Sequence, residues 1–343
     1  MDTQTIAQGG FYLAFHLTKA LTAFIQRDSF LYWPFLLSAA VIALAVAAAT
    51  TRATKNAETG SLRQTLREYV SRRVWWHASA RADYRLYLAN ALVLPLIFAV
   101  ALFGDRHIVD LINQLLVSAP VTARPGEPVS VTARIAFTLC FFIAYDFGRF
   151  VAHSLLHDVP VLWEFHKVHH SAETLTPFTT FRAHPIDLMI MAWVPAVMTG
   201  MVTWGFNQLT AVPVSFYSYL GMHVIVFASN LVGTLRHTNV WFSYGPAISK
   251  WLVSPAQHQL HHSCELQHLG CNRGFELAVW DRLYGTLYVP QRQEAFRLGL
   301  GDGTDGQWHT VRRMWVWPFV NATKRLAAVL ERGAQPSSRA PGR

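Results

Sequence analysis

Charged residues are scarce in this sequence. Asp, Glu, Lys and Arg make up 14% of its 343 residues, whereas 52% are apolar and the mean hydropathy is positive. This composition excludes an ordinary soluble domain and predicts a membrane protein. The net charge of +9 comes from basic residues between apolar segments and not from one basic and aromatic face, so we expect anionic lipid headgroups as partners and no nucleic acid.

Cysteine is also scarce, with only Cys140, Cys264 and Cys271 and no CxxC pair. This excludes a disulfide framework and a thiolate metal site. HExxH is missing, which excludes the usual zinc metalloprotease, and so is the paired ExxH pattern of soluble di-iron bundles.

Long apolar runs are abundant. A helix of about 20 residues crosses the hydrocarbon core of a bilayer, and five runs qualify: 30–50, 86–104, 135–152, 186–206 and 211–235. The segment 11–25 is shorter and amphipathic, which is typical of a surface helix. The sequence therefore predicts an all-α, multi-pass membrane bundle of about four to five spans with a histidine-rich cap of short helices.

The basic loop 51–84 lies between the first two runs, so the positive-inside rule places it in the cytoplasm. Alternation from there puts the ends of the third and fifth runs, and everything after residue 240, on the cytoplasmic side. Arginine exceeds lysine, which hints at a bacterial inner membrane. We expect three regions: a membrane region 1–132, a histidine-rich domain 133–289 and a cytoplasmic extension 290–343 that ends in a disordered tail.

Histidine carries the chemistry of this chain, because 12 of its 16 histidines lie between residues 153 and 268. They form three boxes, HSLLH, HKVHH and HQLHH, whose members are His153, His157, His166, His169, His170, His258, His261 and His262. Positions three or four apart share one face of a helix, so the imidazoles of a box can meet at a metal. Ser254 and Pro255 predict the start of a helix that carries the third box.

Eight box histidines exceed the four ligands of one tetrahedral zinc, so two metals fit the number. Imidazole binds zinc, copper, iron and nickel alike and does not select among them. His237 lies at the end of the fifth run, where it can complete the site, and His184 is a possible additional ligand. Two charged residues in the third run, Asp146 and Arg149, either form a structural ion pair or support the ligand imidazoles.

Six motifs resemble the fatty acid hydroxylase and sterol desaturase superfamily of membrane histidine-box enzymes. In chain order they are DFGRFVAHSLLH (146–157), WEFHKVHHSAE (163–173), RAHP (182–185), RHTN (236–239), HQLHHS (258–263) and NRGFELAVWDRLYGT (272–286). The resemblance spans about 140 residues. It implies nine ligands, the eight box histidines and His237, and makes Asn272 and Asp281 candidates for support of the ligands. Some relatives have a tenth histidine where this chain has Gly233, so the tenth ligand is His184, water or absent.

The resemblance further implies a centre of two iron ions, which zinc can replace in isolated protein. It implies dioxygen as co-substrate, electrons from NAD(P)H through a cytochrome b5-, ferredoxin- or reductase-type protein, and hydroxylation of a fatty acyl, sterol or polar-lipid C–H bond. Desaturation and ether-lipid cleavage use the same kind of site and stay open as alternatives. Outside the enzyme class, a metal transporter would place its ligands near the bilayer midplane, and a bis-histidine haem protein needs only two histidines.

Overall fold

The computed structural model describes residues 18–27, 29–53, 67, 71–101, 105–115, 129–210 and 213–334. Residues 54–66 and 68–70 of the predicted basic loop, the start of the predicted surface helix and the tail 335–343 lie outside these residues. The described residues are mainly helical, as the sequence predicts. The helices are α1 Trp33–Ala53, α2 Arg72–Trp75, α3 Ala78–Ala101, α4 Asp105–Leu115, α5 Val131–Asp158, α6 Pro160–His170, α7 Pro185–Thr210, α8 Val224–Gly233, α9 Gly245–Ile248, α10 Pro255–His261, α11 Val279–Tyr284 and α12 Val311–Ala334.

Three short 3₁₀ segments and one small hairpin connect these helices. The 3₁₀ segments are Pro177–Phe181, Thr234–His237 and Leu266–His268. The hairpin pairs β1 Ser218–Tyr219 with β2 Met222–His223 in antiparallel register, Ser218 opposite His223.

Two helices of the described residues, α5 and α7, are long and apolar enough to cross a membrane. They coincide with the third and fourth predicted runs. Residues 33–46 of α1 form a shorter apolar helix within the first run. A total of four to five spans stays a prediction.

The prediction of one continuous span over 211–235 is wrong. The hairpin occupies its middle and leaves only the ten-residue α8, which is about 15 Å long and too short for a bilayer core. Leu220 and Gly221 both have positive φ, at 51° and 86°, as the two turn residues of a tight hairpin require. Leucine seldom adopts this conformation, so an apolar run gave no sign of the turn.

The two candidate spans cross at close range. Ser130 begins α5, since its Oγ accepts a hydrogen bond from the Ala133 backbone N–H at 3.2 Å. Gly148 faces Pro195 inside α7, where a Cβ atom on residue 148 would lie 2.6 Å from the Pro195 Cα. A glycine is therefore required for this contact, which brings the middle of α5 against the middle of α7.

Helices outside the histidine-rich region complete the core around it. One buried cluster joins α3, α6 and α12 and contains Ala82, Leu86, Val168, Trp308 and Met314. A second joins α1 to the segment around α8 and contains Ala39, Ala43, Leu235 and Val240. The histidine helices are thus held from both the N-terminal and the C-terminal sides.

Candidate metal centre

The three histidine boxes lie on three helices that end at one place. The first box is the last turn of α5, and Pro160 begins α6 directly afterwards, so the chain turns before the second box. The third box is on α10. Its predicted start is confirmed: Pro255 is in the first turn, and Ser254 and Gln257 form a reciprocal capping box.

The nine histidines form two adjacent groups within which the ring nitrogens lie no more than 4.8 Å apart. The first histidine group is His153, His157, His166, His170 and His261. The second histidine group is His169, His237, His258 and His262.

The second and third boxes are each divided between the two groups. His166 and His170 are four residues apart on one face of α6 and enter the first group, while His169 projects to the side and enters the second. On α10, His258 and His262 enter the second group and His261 the first. The sequence prediction that all histidines of HKVHH aim at one point is wrong, since a helix three residues on has turned by 300° and not by a full circle.

Nε2 atoms converge in the first group. His153 Nε2 is 3.1 Å from His166 Nε2 and 3.1 Å from His261 Nε2, and His157 Nε2 is 3.2 Å from His153 Nε2. With metal–nitrogen bonds of about 2.1 Å, neighbouring ligand nitrogens are about 3.0 Å apart at right angles and about 3.4 Å apart at the tetrahedral angle. The observed separations lie in this range.

The second group repeats this geometry. His237 Nε2 lies 3.0 Å from His258 Nε2 and 3.1 Å from His262 Nε2, and the last two are 3.3 Å apart. The two groups are in direct contact, because the ring of His170 in the first group stacks on the ring of His262 in the second, with 4.8 Å between the ring centroids.

The outward nitrogen of most of these rings has a partner that sets its tautomer. His153 Nδ1 is 2.7 Å from the Arg273 carbonyl oxygen, His261 Nδ1 is 2.7 Å from that of Cys271, and His169 Nδ1 is 3.2 Å from that of Arg182. A carbonyl oxygen only accepts, so each Nδ1 donates and each neutral ring keeps its lone pair on Nε2. His153 and His261 thus point lone pairs at one another, an arrangement that a cation between them stabilises.

Burial keeps six of these imidazoles neutral. It lowers the pKa of His169 to about 4 and that of His261 to about 3, because a charged ring would lose its hydration. The same cause lowers the pKa of His170, His237, His258 and His262. His170 Nε2 is buried without a hydrogen-bond partner among the described residues. Neutral imidazoles with free inward nitrogens fit metal ions, since a metal ligand must be deprotonated.

Asp187 is a residue that sequence reasoning missed. Its carboxylate Oδ2 accepts a hydrogen bond of 2.8 Å from His166 Nδ1, and both side chains are at least 95% buried. Thr180 plays a similar part, with its Oγ1 2.9 Å from His237 Nδ1. Partners of this kind fix the ring and raise its basicity. The only signal in the sequence was an acidic residue in the first turn of an apolar run.

A buried ion pair outside the predicted site supports this arrangement. Arg182 Nη1 donates to Asp83 Oδ1 at 2.6 Å, and neither side chain is exposed to solvent. The same guanidinium donates to the backbone oxygens of Val168 and Trp308. The Arg182 carbonyl oxygen accepts the hydrogen bond from His169 Nδ1. The ion pair therefore connects α3 to the second group.

The four predicted support residues have different surroundings. Asp146 accepts hydrogen bonds from the Glu276 and Leu277 backbone N–H groups and from Trp280, and it does not pair with Arg149. The alternative of a structural ion pair between Asp146 and Arg149 is therefore wrong. Arg149 lies over the Phe275 ring, with 3.5 Å between the guanidinium carbon and the ring centroid.

Asp281 and Asn272 shape the loop behind the first group. Asp281 accepts hydrogen bonds from the Arg273 and Gly274 N–H groups, and Asn272, at a φ of 52°, donates to the Gln257 carbonyl oxygen. Both act on the backbone that carries the carbonyl partners of His153 and His261, so they touch no ligand directly.

The other three histidines between residues 153 and 268 lie outside the two groups. His184, the possible additional ligand, packs against Phe165 and Phe319, with its Nε2 3.2 Å from the Trp315 carbonyl oxygen. His223 caps α8 with its Nδ1, and His268 contacts Ser263 and Glu294.

Two cavities reach the histidine groups. The Arg149 cavity, about 200 Å³, borders both groups and has apolar walls at Phe30, Leu188 and Met191. The Trp163 cavity, about 330 Å³, reaches the first group beside Trp163, Arg273 and Cys264. The groups are thus accessible from two sides.

Residues 138–286 match the family model for fatty acid hydroxylases, and this segment contains all nine histidines of the two groups. Over this segment the chain is similar to the fatty acid hydroxylase and sterol desaturase superfamily, as its motifs predict. No solved structure shows a significant match to the chain.

Relatives with assigned activities match a part of the chain of similar length. The ornithine lipid hydroxylase of Rhizobium tropici is 30% identical over 155 residues, 45% of this chain and 43% of the relative. The alkylglycerol monooxygenase of Xenopus tropicalis is 25% identical over 45% of this chain and 30% of its own length. The Delta(7)-sterol 5(6)-desaturase of Eremothecium gossypii is 29% identical over 47% of this chain and 40% of its own length. The match thus spans less than half of each relative.

Proposed function

We propose that this chain is an integral membrane di-iron oxygenase that hydroxylates a C–H bond of a lipid. The observation that carries the proposal is the pair of adjacent histidine groups, whose neutral rings point converging Nε2 atoms inward. The activities of the relatives, an ornithine lipid hydroxylase, an alkylglycerol monooxygenase and a sterol desaturase, support the same class of reaction.

The first group would hold one iron and the second group the other, with all nine histidines as ligands. Zinc would bind the same nitrogens in isolated protein, since imidazole does not discriminate between the two. Bound iron would supply the activation of dioxygen, with the overall balance RH + O₂ + 2 e⁻ + 2 H⁺ → ROH + H₂O.

The protein's own residues prepare this chemistry. Asp187 and the backbone carbonyl groups of residues 182, 271 and 273 hold four of the imidazoles in the required tautomer, and Thr180 orients His237. Seven of the nine rings are buried, which limits the contact of the site with bulk water to its two cavities and protects reactive states from side reactions.

The substrate would enter the Arg149 cavity from the bilayer. The apolar residues Leu188 and Met191 belong to the first two turns of α7, a candidate span, and line this cavity. A lipid chain could therefore approach the metals along α7 without leaving the apolar phase. Electrons would come from a separate cytochrome b5-, ferredoxin- or reductase-type protein.

The reaction is tested by expressing the protein in bacterial cells under ¹⁸O₂ and analysing the lipids. Hydroxylation adds one labelled oxygen to a lipid, and the His261→Ala protein adds none. Desaturation would give a product lighter by two hydrogens without label, and ether cleavage would release an aldehyde. Lipids unchanged by the active protein would contradict the proposal.

We place the protein in a bacterial inner membrane with the histidine groups facing the cytoplasm. Cys264, half-buried beside the Trp163 cavity, provides the test. A membrane-impermeant maleimide should label it in inside-out vesicles and spare it in intact spheroplasts, and Cys264→Ser should abolish the label. Labelling in spheroplasts alone would reverse the orientation.

A further inference from the structure

Arg149 has no role in the reaction proposed above. It lies on α5 one turn before His153 and lines the cavity that borders both histidine groups. Its guanidinium stacks on Phe275 and, at 5.7 Å, on Tyr145. Among the described residues no acceptor forms a hydrogen bond with it.

Arg149 interacts electrostatically with Glu276 but forms no hydrogen bond with any of the neighbouring carboxylates. Glu276, in the same cavity, already accepts two hydrogen bonds from Arg236, at 2.7 and 3.1 Å. Asp146, three residues before Arg149, accepts three N–H donors from elsewhere. Asp187 accepts from His166. Each carboxylate nearby is thus engaged by another partner.

An arginine in an apolar helix is costly and faces a partner or a functional cavity. Stacking on an aromatic ring uses the face of the guanidinium and leaves the N–H groups at its edge free. Those N–H groups form a planar fork that matches the two oxygens of a carboxylate or phosphate. The cavity also provides an apolar wall next to this fork, formed by Leu188 and Met191.

We propose that Arg149 binds the anionic group, a carboxylate or a phosphate, of an amphiphilic lipid substrate. This rests on the proposed function and deepens it, because it specifies which end of the lipid is oxidised. About 6 Å of helix axis separate residues 149 and 153. The anionic group is therefore held beside the metal ligands, and the oxidised carbon lies a few bonds from the headgroup and far from the end of the chain.

The binding test uses purified full-length protein with zinc bound, in neutral detergent, and three probes: dodecanoate, dodecyl phosphate and dodecanol. Arg149→Gln should weaken the binding of one or both anions by about 10- to 100-fold, the range expected for a lost hydrogen bond to a charged group. Dodecanol should bind as before, and Arg149→Lys should lie between. Comparison of the two anions separates carboxylate from phosphate recognition.

Arg282→Gln is a matched control, because Arg282 also stacks on an aromatic ring, Trp251 at 5.2 Å, but lies exposed outside the cavity. It should bind all probes like the unaltered protein. Zinc content near two ions per chain confirms that each variant is folded, and the lysine variant keeps the test open if the glutamine variant is not. Equal dodecanoate and dodecyl phosphate affinities of Arg149→Gln and the unaltered protein would overturn the proposal.

The second test is the position of the new oxygen. Fragmentation of the ¹⁸O-labelled lipid should place the label within the headgroup or the first carbons of the chain, and Arg149→Gln should lower the yield of this product. Label near the methyl end would overturn the assignment of Arg149 while leaving the oxygenase proposal intact. A chain that oxidises no lipid but binds the anions through Arg149 would refute the oxygenase and not the binding site.

Discussion

Asp187 provides the sharpest test of how the metal centre is supported. Its carboxylate is, within the described residues, the one acidic side chain bonded to a histidine of either group, at 2.8 Å from His166 Nδ1. Loss of such a partner typically costs 10- to 100-fold in metal affinity, which corresponds to about 1.4–2.7 kcal/mol. Asp187→Asn keeps an oxygen that can accept from Nδ1–H and removes only the charge, so we expect about 10-fold weaker binding.

Asp187→Ala removes the acceptor as well and leaves a buried N–H unpaired, so its loss should approach 100-fold. The assay is competition for zinc between the purified protein and a chelator of known affinity, which requires no substrate and no turnover. Asp110→Asn, on the exposed face of α4, is the matched control and should not change zinc binding. Zinc affinities of both Asp187 variants equal to that of the control would show that the His166 contact does not support the metal.

Three further predictions address the ligands, the pH dependence and the core. His261→Ala and His258→Ala should each lower the metal content from about two to about one ion per chain, whereas His184→Gln should retain two; elemental analysis decides, and loss from the His184 variant would make it a ligand. In metal-free protein, the pKa values of His169 and His261 are about 6.5 in the unfolded chain but about 4 and about 3 in the folded protein. Their stabilising effect is therefore complete above pH 6.5 and is lost as the pH falls through 4 towards 3. A melting temperature that stays constant from pH 7 to 4 would contradict this. Asp83→Ala should destabilise the protein by about 3–5 kcal/mol because Arg182 is left buried and unpaired. The control Asp158→Ala should cost about 1 kcal/mol or less, because the Asp158 carboxylate is 61% exposed. Similar melting temperatures of the two variants would refute the difference.

Local patterns predicted the parts of the site that lie within single helices. The spacing of His153 and His157, or of His258 and His262, fixes a shared face whatever surrounds the helix. Ser254 and Pro255 likewise predicted the start of α10, since capping depends on neighbouring residues alone.

The sequence could not predict features that depend on distant contacts. Asp187 lies 21 residues from His166, and Asp83 lies 99 residues from Arg182, so no local spacing connects them. The hairpin at Leu220 and Gly221 was missed because an average of hydropathy does not register a backbone turn. The helical rotation of HKVHH separates His169 from His166 and His170, but which third-box histidines join each group required the position of α10 relative to α6.

The Asp83–Arg182 pair also determines which part of the chain can stand alone. Residues 138–286 match the family, yet Arg182 within them has its charge balanced by α3 and one of its N–H groups accepted by residue 308. Excised from both flanks, that segment would retain every proposed ligand and expose an arginine that was fully buried. A fragment that keeps these contacts of Arg182 must therefore include at least residues 83–308, so the stretch that matches the family is too short to keep this arginine paired.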